Sequence, residues 1–161
     1  VDIDANPSVE VALNRFDVVV SAQAFNDDGQ RALDSAKCLW KKYDEAAPRL
    51  NSAIRTIAGN DALIEVSIDC NDSDRYQSIS SCSTGSFSVG GEMRCGQTDA
   101  SERQEAHDAG MGVGKYRAYC YLRDCGNAVS AEECAGMTMR ELDGLYNQQA
   151  HGHGSNSADD D

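Results

Sequence analysis

The sequence lacks any long hydrophobic run. No apolar stretch approaches the ~20 residues that a membrane-spanning helix needs, so we expect no membrane insertion. Basic residues are also few, because 14 Lys and Arg stand against 27 Asp and Glu, which gives a formal net charge of −13. Such a charge repels the phosphates of nucleic acids and of anionic lipids. We therefore expect no nucleic acid among the partners.

Motifs for catalysis and for metal binding are missing as well. The sequence has no Gly-x-Ser-x-Gly, no His-Glu-x-x-His and no Cys-x2-Cys pair. The glycine-rich stretch before Lys115 lacks the spacing of a phosphate-binding loop, because Ala109 occupies the place of its first glycine. A flexible or closely packed helix entrance explains this stretch better. We predict that the protein is not an enzyme.

Length and periodicity favour one helical domain. A chain of 161 residues with 40% hydrophobic residues can bury a core of its own. Apolar residues recur at helical spacing through most of the chain. We predict an all-α fold, with a single domain over residues 1–149 and a flexible acidic tail over residues 150–161. The predicted helices lie near residues 8–24, 30–46, 49–58, 99–109, 115–125 and 131–149.

The clearest helix start is Ser130, which is followed three residues later by Glu133 in a capping box. Beyond it, apolar residues recur at spacings of four, three and four, which is typical of one helix face. With the second predicted helix, this face supplies the residues that we expect in the core: Leu33, Trp40, Leu142 and Tyr146. If Trp40 is buried, its replacement by alanine should cost about 3–5 kcal/mol.

Two stretches depart from helical periodicity. Ile64, Val66 and Ile68 alternate with polar residues, which indicates a short strand or an extended segment. Residues 69–98 are rich in Ser, Gly and Asp, and we predict a long irregular segment there. Segments of this length without secondary structure are uncommon in compact domains, so a disulfide, a ligand or a partner surface should hold it in place.

The seven cysteines are an odd number, which leaves at least one outside any set of internal disulfides. Cys70 and Cys82 are close enough in sequence to form a loop disulfide. The charge of Arg94 should favour a thiolate at Cys95, and the helix dipole should do the same at Cys134. These two are therefore the most reactive thiols we expect, although plain disulfides explain them equally well.

Between Lys115 and Tyr146 the chain carries a short series of motifs. In chain order they are Lys115-Tyr116, Tyr119, Cys120-Tyr-Leu-Arg123-Asp124, Glu132-Glu133-Cys134, Gly136-Met137 and Arg140-Glu141. This stretch, about a fifth of the chain, resembles the phycobiliprotein family, whose bilin site reads Cys-x-Arg-Asp. The extra residue between Cys and Arg, the seven cysteines and the acidic charge fit a divergent member better. Such a member would be a bilin-bearing γ or linker subunit of red-algal phycobilisomes.

The resemblance implies an open-chain tetrapyrrole (phycobilin) as cofactor, held by cysteine thioethers. An aspartate would accept hydrogen bonds from the pyrrole N–H groups, and arginines would pair with the propionates. The sets implied are Cys95 with Arg94 and Asp99, then Cys134 with Arg140, and alternatively Cys120 with Arg123 and Asp124. The protein would then harvest light in the plastid, on the stromal side of the thylakoid. Its partners would be other phycobiliprotein subunits or another protein.

A second interpretation belongs to a different class of protein. Three disulfides and one free thiol would also account for the cysteines, and Asn71-Asp-Ser73 is a possible glycosylation acceptor. The chain would then be a secreted, extracellular, disulfide-stabilised helical binding module without catalytic activity.

Overall fold

A computed structural model describes residues 1–152 and shows one mixed sheet with helices packed around it. Its strands are β1 (Asp2–Asp4), β2 (Ser8–Leu13), β3 (Val19–Ala24), β4 (Ile64–Asp69) and β5 (Met93–Thr98). Its helices are α1 (Asp27–Ala36), α2 (Tyr43–Ala58), α3 (Ser73–Phe87), α4 (Ala100–Asp108), α5 (Val113–Asp124), α6 (Ala131–Gly136) and α7 (Met139–Gly152).

The short strand β1 lies in the middle of the sheet, whose order is β3-β2-β1-β4-β5. It pairs antiparallel with both β2 and β4, and β2 pairs antiparallel with β3. The fifth strand pairs parallel with β4, and α3 connects the two, as parallel neighbours require a crossover. The three residues of β1 therefore join the N-terminal hairpin to the later half of the sheet.

The predicted all-α fold is wrong, and residues 8–24 are the main reason. They form the β2–β3 hairpin instead of a helix. In β2, buried Val9 and Val11 are separated by Glu10, which is the two-residue period of a strand. The helix was predicted from the helical spacing of Val9, Leu13, Phe16 and Val20, but the β-branched run before Ser21 fits a strand better.

Residues 69–98 are not irregular, because they contain α3 and β5. The helix α3 begins at an aspartate cap, where Asp72 accepts a hydrogen bond from the backbone of Arg75. It buries Ile79, Ser83 and Phe87, which are spaced by four residues on one face. The helix cap and these few buried side chains order the segment. No disulfide holds it, because all seven cysteines of the chain are unpaired.

The other predicted elements agree better with the structure. The strand at Ile64, the helices near 99–109 and 115–125, and the Ser130–Glu133 capping box are confirmed. The helix predicted over 30–46 ends at Ala36, and α2 begins at Tyr43 and continues through Pro48. The helix predicted over 131–149 is two helices, since a second cap at Thr138 starts α7.

Two hydrophobic clusters form the interior. The first lies between the sheet and α1, α2 and α3, and the second lies among α5, α6 and α7. Leu142 is buried in the second cluster as predicted, and Leu33 packs partly buried against the first. Trp40 and Tyr146 are wrong as core predictions, because they are 73% and 42% exposed.

The last turn of α7 includes residues 150–152. The rest of the predicted acidic tail, residues 153–161, lies outside the described residues. Within residues 1–152, no helix is both long enough and apolar enough to cross a membrane.

Candidate functional site

The middle strand of the sheet carries two buried carboxylates. Asp2 and Asp4 flank Ile3 on β1, so strand alternation sends both carboxylates to one face and Ile3 to the first hydrophobic cluster. The N-terminus of α5 lies over them. The backbone N–H of Val113 donates to Asp2 Oδ1 at 3.1 Å, and that of Gly114 donates to Asp4 Oδ2 at 2.8 Å. Free N–H groups and the dipole at a helix N-terminus stabilise negative charge.

Gly112 allows this close approach between α5 and β1. A Cβ atom at Gly112 would collide with the carboxylate of Asp4, so any side chain there would push the helix away from the strand. The glycine-rich stretch before Lys115 is therefore a closely packed helix entrance, as one of the two alternatives predicted.

Only part of each carboxylate is satisfied by the helix. If both carboxyl groups are ionised, Asp2 Oδ2 and Asp4 Oδ1 are buried without a hydrogen-bond partner among residues 1–152. Burial raises the pKa of Asp2 well above its usual range, and the neighbouring Asp4 and Glu10 carboxyls raise it further. A neutral Asp2 can donate its proton to Asp4, which would satisfy the oxygens that otherwise lack a partner.

Lys115 lies beside this pair and is 1% exposed. Its Nζ donates to Asn6 Oδ1 at 3.2 Å and to the backbone oxygen of Ala135 at 2.9 Å. Burial lowers the pKa of Lys115, while the charge of Asp4 opposes that shift. Together, Asp2, Asp4, Asn6 and Lys115 form what we call the buried polar cluster.

Asn6 lies in the turn between β1 and β2 with an unusual backbone conformation. Its φ is 114°, a value that residues other than glycine rarely adopt. Three side-chain contacts hold it there: Lys115 and Asn26 Nδ2 donate to its Oδ1, and its Nδ2 donates to the oxygen of Gly136 at 3.5 Å. Strained residues held by their surroundings are often found at functional sites.

Arg117, two residues after Lys115 on α5, joins this helix to α4 and to the end of β5. Its guanidinium binds Glu102 through two contacts of 2.7 and 2.8 Å and donates to the backbone oxygen of Gln97. This pairing lowers the pKa of Glu102 and raises that of Arg117. Glu65 lies 3.9 Å away, and desolvation raises its pKa.

One group of side chains next to the cluster has the spacing of metal ligands. Donor atoms of Asp2, Glu10 and His107 lie within 4.8 Å of one another. However, His107 Nε2 already contacts Glu10 Oε2 at 2.8 Å, and Arg103 lies 3.8 Å from the same oxygen. An arginine at this distance opposes a bound cation, so an ion-pair network accounts for the arrangement.

Comparison with known families shows which family the chain belongs to. A family model described as the anti-sigma factor RsgI-like central domain matches residues 1–120, which include β1, the cluster and most of α5. The chain belongs to this family. The RsgI-like domain is also similar to a protein of Acetivibrio thermocellus named anti-sigma-I factor RsgI4. They are 26% identical over 156 residues, which cover 88% of this chain and 30% of the relative.

This membership corrects the interpretation based on resemblance. The likeness to phycobiliproteins is wrong, and with it the light-harvesting function, the phycobilin cofactor and the location in the plastid. The secreted disulfide-stabilised module is not supported either. The family is named for anti-sigma factors, which are regulatory proteins, and the expectation that the chain is not an enzyme stays a prediction.

The RsgI-like domain places the predicted bilin cysteines on three separate elements. Cys95 is on β5, Cys120 is on α5 and Cys134 is on α6. Burial raises the pKa of Cys134, and Glu133 adds to the effect, so the expected helix-dipole activation is outweighed. Cys95 Sγ lies 3.5 Å from Ser80 Oγ.

Most charged residues of those predicted sets bind residues outside the sets, whereas Arg123 and Asp124 of the third set pair with each other. Arg94 contacts Asp143 at 2.7 Å, and Arg123 contacts Asp124 at 3.1 Å. Arg140 binds Glu92 at 2.9 Å and also donates to the backbone oxygen of Asp61, which ties α7 to the loop before β4. Asp99 caps α4 by accepting a hydrogen bond from the backbone of Glu102.

Sequence reasoning missed the buried polar cluster because the first seven residues look like a polar lead. The available signal was the alternation of Asp2, Ile3 and Asp4, which is the pattern of a strand with one polar face. A three-residue run is too short to distinguish from a loop. The missing information was the partner, since the neutralising helix N-terminus lies more than a hundred residues away in sequence.

Proposed function

We propose that this RsgI-like domain is a regulatory part of a longer anti-sigma factor whose protein partner is a sigma factor. The observation that carries the proposal is the family match over residues 1–120. Similarity to an anti-sigma-I factor over 88% of the chain supports it. The net charge of −13 favours a protein partner over direct contact with DNA.

The buried polar cluster would give such a domain two coupled parts. Lys115 and the backbone of Met139 both reach the β1–β2 turn, the latter by a 2.9 Å hydrogen bond to the oxygen of Ala5. These contacts join the helices of the second hydrophobic cluster to the middle strand of the sheet. A movement of one part relative to the other breaks these hydrogen bonds, which is how a packed domain passes on a structural change.

The test uses the longer anti-sigma factor in bacterial cells that carry a reporter gene under a sigma-dependent promoter. We expect Asp4→Asn and Lys115→Met to raise reporter output several-fold, because a weakened domain loses its restraint on the sigma factor. Arg123→Gln, on the exposed end of α5, is the matched control and should leave the output unchanged.

Two results would reject the proposal. One is unchanged reporter output from variants whose purified domains unfold at clearly lower denaturant concentration. The other is failure of the purified longer protein to bind the sigma factor. The first removes the regulatory role of this domain, and the second removes the partner.

A further inference from the structure

The end of the molecule where β3 begins exposes large apolar side chains. Phe16 is 63% exposed, Leu39 is 48% exposed and Trp40 is 73% exposed. Trp40 is the sole tryptophan of the chain. Tryptophan is among the residues most enriched at the centres of protein interfaces.

Backbone hydrogen bonds bring these residues together from two segments. The N–H of Trp40 donates to the oxygen of Val19 at 2.8 Å, and that of Val19 donates to Lys41 at 2.9 Å. A further bond of 2.8 Å joins Tyr43 to Asp17. The turn before β3 and the loop before α2 are thus paired. We call their exposed residues the Trp40 patch: Arg15, Phe16, Lys37, Leu39, Trp40 and Lys42.

The backbone around the Trp40 patch is strained. Of the four residues other than glycine with positive φ in residues 1–152, three lie here: Asp17 at 59°, Lys37 at 48° and Trp40 at 64°. For a residue as bulky as tryptophan this conformation is an outlier. The Trp40 side chain is mostly exposed, so no burial of that side chain offsets the strain. Strain without a packing benefit indicates a functional requirement.

The patch is also basic, although the chain as a whole is acidic. Among the described residues, Arg15, Lys37 and Lys42 form no ion pair, and Arg15 lies 4.7 Å from the ring centre of Phe16. The remaining cation of this loop, Lys41, is already paired with Glu45. Three unpaired cations beside three exposed apolar side chains are complementary to a partner that carries acidic and apolar groups together.

Among residues 1–152, the acidic neighbours of the patch form no ion pair with its three cations. Asp17 is bound by Arg75, which reaches it from α3. Asp44 lies in the first turn of α2, where the helix dipole favours a negative charge. Next to the patch, β3 is an edge strand whose first residue, Val19, is already paired with the loop before α2. An added polypeptide strand could pair only with the part of β3 beyond Val19.

We propose that the Trp40 patch is a docking surface for a polypeptide segment in which acidic side chains alternate with apolar ones. Trp40, Phe16 and Leu39 would contact the apolar side chains, and Lys37 and Lys42 would pair with the acidic ones. This inference goes beyond the regulatory role proposed above and does not depend on it.

Fluorescence of Trp40 tests the docking surface directly. The probe is a short synthetic peptide that alternates glutamate with leucine, and the matched control peptide has lysine in place of glutamate. We expect the acidic peptide to shift Trp40 emission to shorter wavelength in a saturable way, and the basic peptide to have no effect. Lys37→Gln with Lys42→Gln should weaken binding about threefold to tenfold, as expected for two exposed ion pairs. Arg123→Gln should bind as the unchanged protein does.

Each other outcome overturns the proposal. No shift with the acidic peptide, or an equal shift with the basic one, removes the charge complementarity. Equal weakening by Arg123→Gln means that total charge, not the patch, decides binding. A shift that appears only with anionic lipid vesicles assigns the patch to a membrane surface. A shift that appears on concentrating the protein alone, with a dimer in sedimentation, assigns it to a second copy.

Discussion

Gly112 and Gly144 differ in what a methyl group would meet. At Gly112 the new Cβ would collide with Asp4, whereas at Gly144 in α7 nothing lies within 4 Å. We expect Gly112→Ala to reduce the free energy of unfolding by about 1–3 kcal/mol, because α5 must move away from β1. Gly144→Ala should be neutral or stabilise by up to about 1 kcal/mol, since alanine favours helix. Urea unfolding of both variants measures the difference, and equal effects would contradict the close packing at Gly112.

Asp2 makes the stability of the domain depend on pH. Its pKa is raised in the folded state by burial and by Asp4, so the folded protein holds this proton after the unfolded chain has lost it. Its stabilising contribution is therefore fully present below the unfolded pKa of about 3.9 and is lost as pH rises through the folded value. Asp2→Asn keeps a neutral group of the same shape. We expect it to reduce the loss of stability with rising pH and to make the domain more stable at neutral pH.

The measurement is the free energy of unfolding in urea across a pH series for Asp2→Asn and the unchanged protein. Asp124→Asn is the matched control, because Asp124 is 70% exposed at the end of α5. Parallel pH profiles for Asp2→Asn and the unchanged protein would show that folding does not shift the pKa of Asp2.

At the scale of elements, the sequence led us to expect Trp40 in the core and residues 69–98 as an irregular segment, and the structure shows the reverse. Phe87 on α3 is fully buried, whereas Trp40 is mostly exposed. We expect Phe87→Ala to cost about 3–5 kcal/mol and Trp40→Ala to cost less than about 1 kcal/mol. Chemical denaturation of the two variants gives both values. A larger cost for Trp40→Ala would place its side chain in the core.

The capping box of α6 is an element that local sequence was sufficient to predict. Ser130 Oγ accepts from the backbone of Glu133 at 3.1 Å, and the Glu133 carboxylate accepts in return at 2.8 Å. We expect Ser130→Ala to cost about 0.5–2 kcal/mol. Ser101→Ala in exposed α4 should have little effect. Thermal melts of the two variants provide the comparison, and a neutral Ser130→Ala would mean that packing of Cys134 alone holds α6.

The contrast between these elements shows what the sequence could predict. Caps and alternation act within a few residues, so the Ser130 box and the strand at Ile64 were predictable. The β2–β3 hairpin was not predicted, because its apolar residues satisfy helical and strand periods together, and the pairing with β1 adds to the local preference of its β-branched residues for a strand. The same holds for α3, which was not predicted because it has few large apolar residues. Two of them, Ile79 and Phe87, are buried where the helix covers the sheet.

At the scale of the whole molecule, the candidate site was beyond local reasoning because its parts come from distant segments. Asp4 accepts a hydrogen bond from Gly114, and Asn6 accepts one from Lys115. These partners are 110 and 109 residues apart in sequence. A buried lysine and two buried carboxylates are unfavourable separately, so neither half of the cluster predicts the other. Only the assembled fold makes them compatible.

This dependence predicts that the two hydrophobic clusters unfold together. Leu122 is fully buried in the second cluster, and Leu122→Ala should cost about 2–5 kcal/mol. If the buried polar cluster couples the two parts, Leu122→Ala should lower the protection against hydrogen exchange equally for the amide of Val66 on β4 and for the amides of α5. Both would then exchange only through global unfolding.

Lys115→Met separates coupling from simple loss of packing. It keeps the apolar stem but removes the hydrogen bond to Asn6 that joins the two parts, together with the bond to Ala135 within the second part. In the double variant Leu122→Ala with Lys115→Met, we expect the amides of α5 to lose more protection than that of Val66. Exposed Arg123→Gln in place of Lys115→Met is the control, and it should leave the two losses equal. If Leu122→Ala alone lowers protection only in α5, the two clusters are independent units and the polar cluster does not couple them.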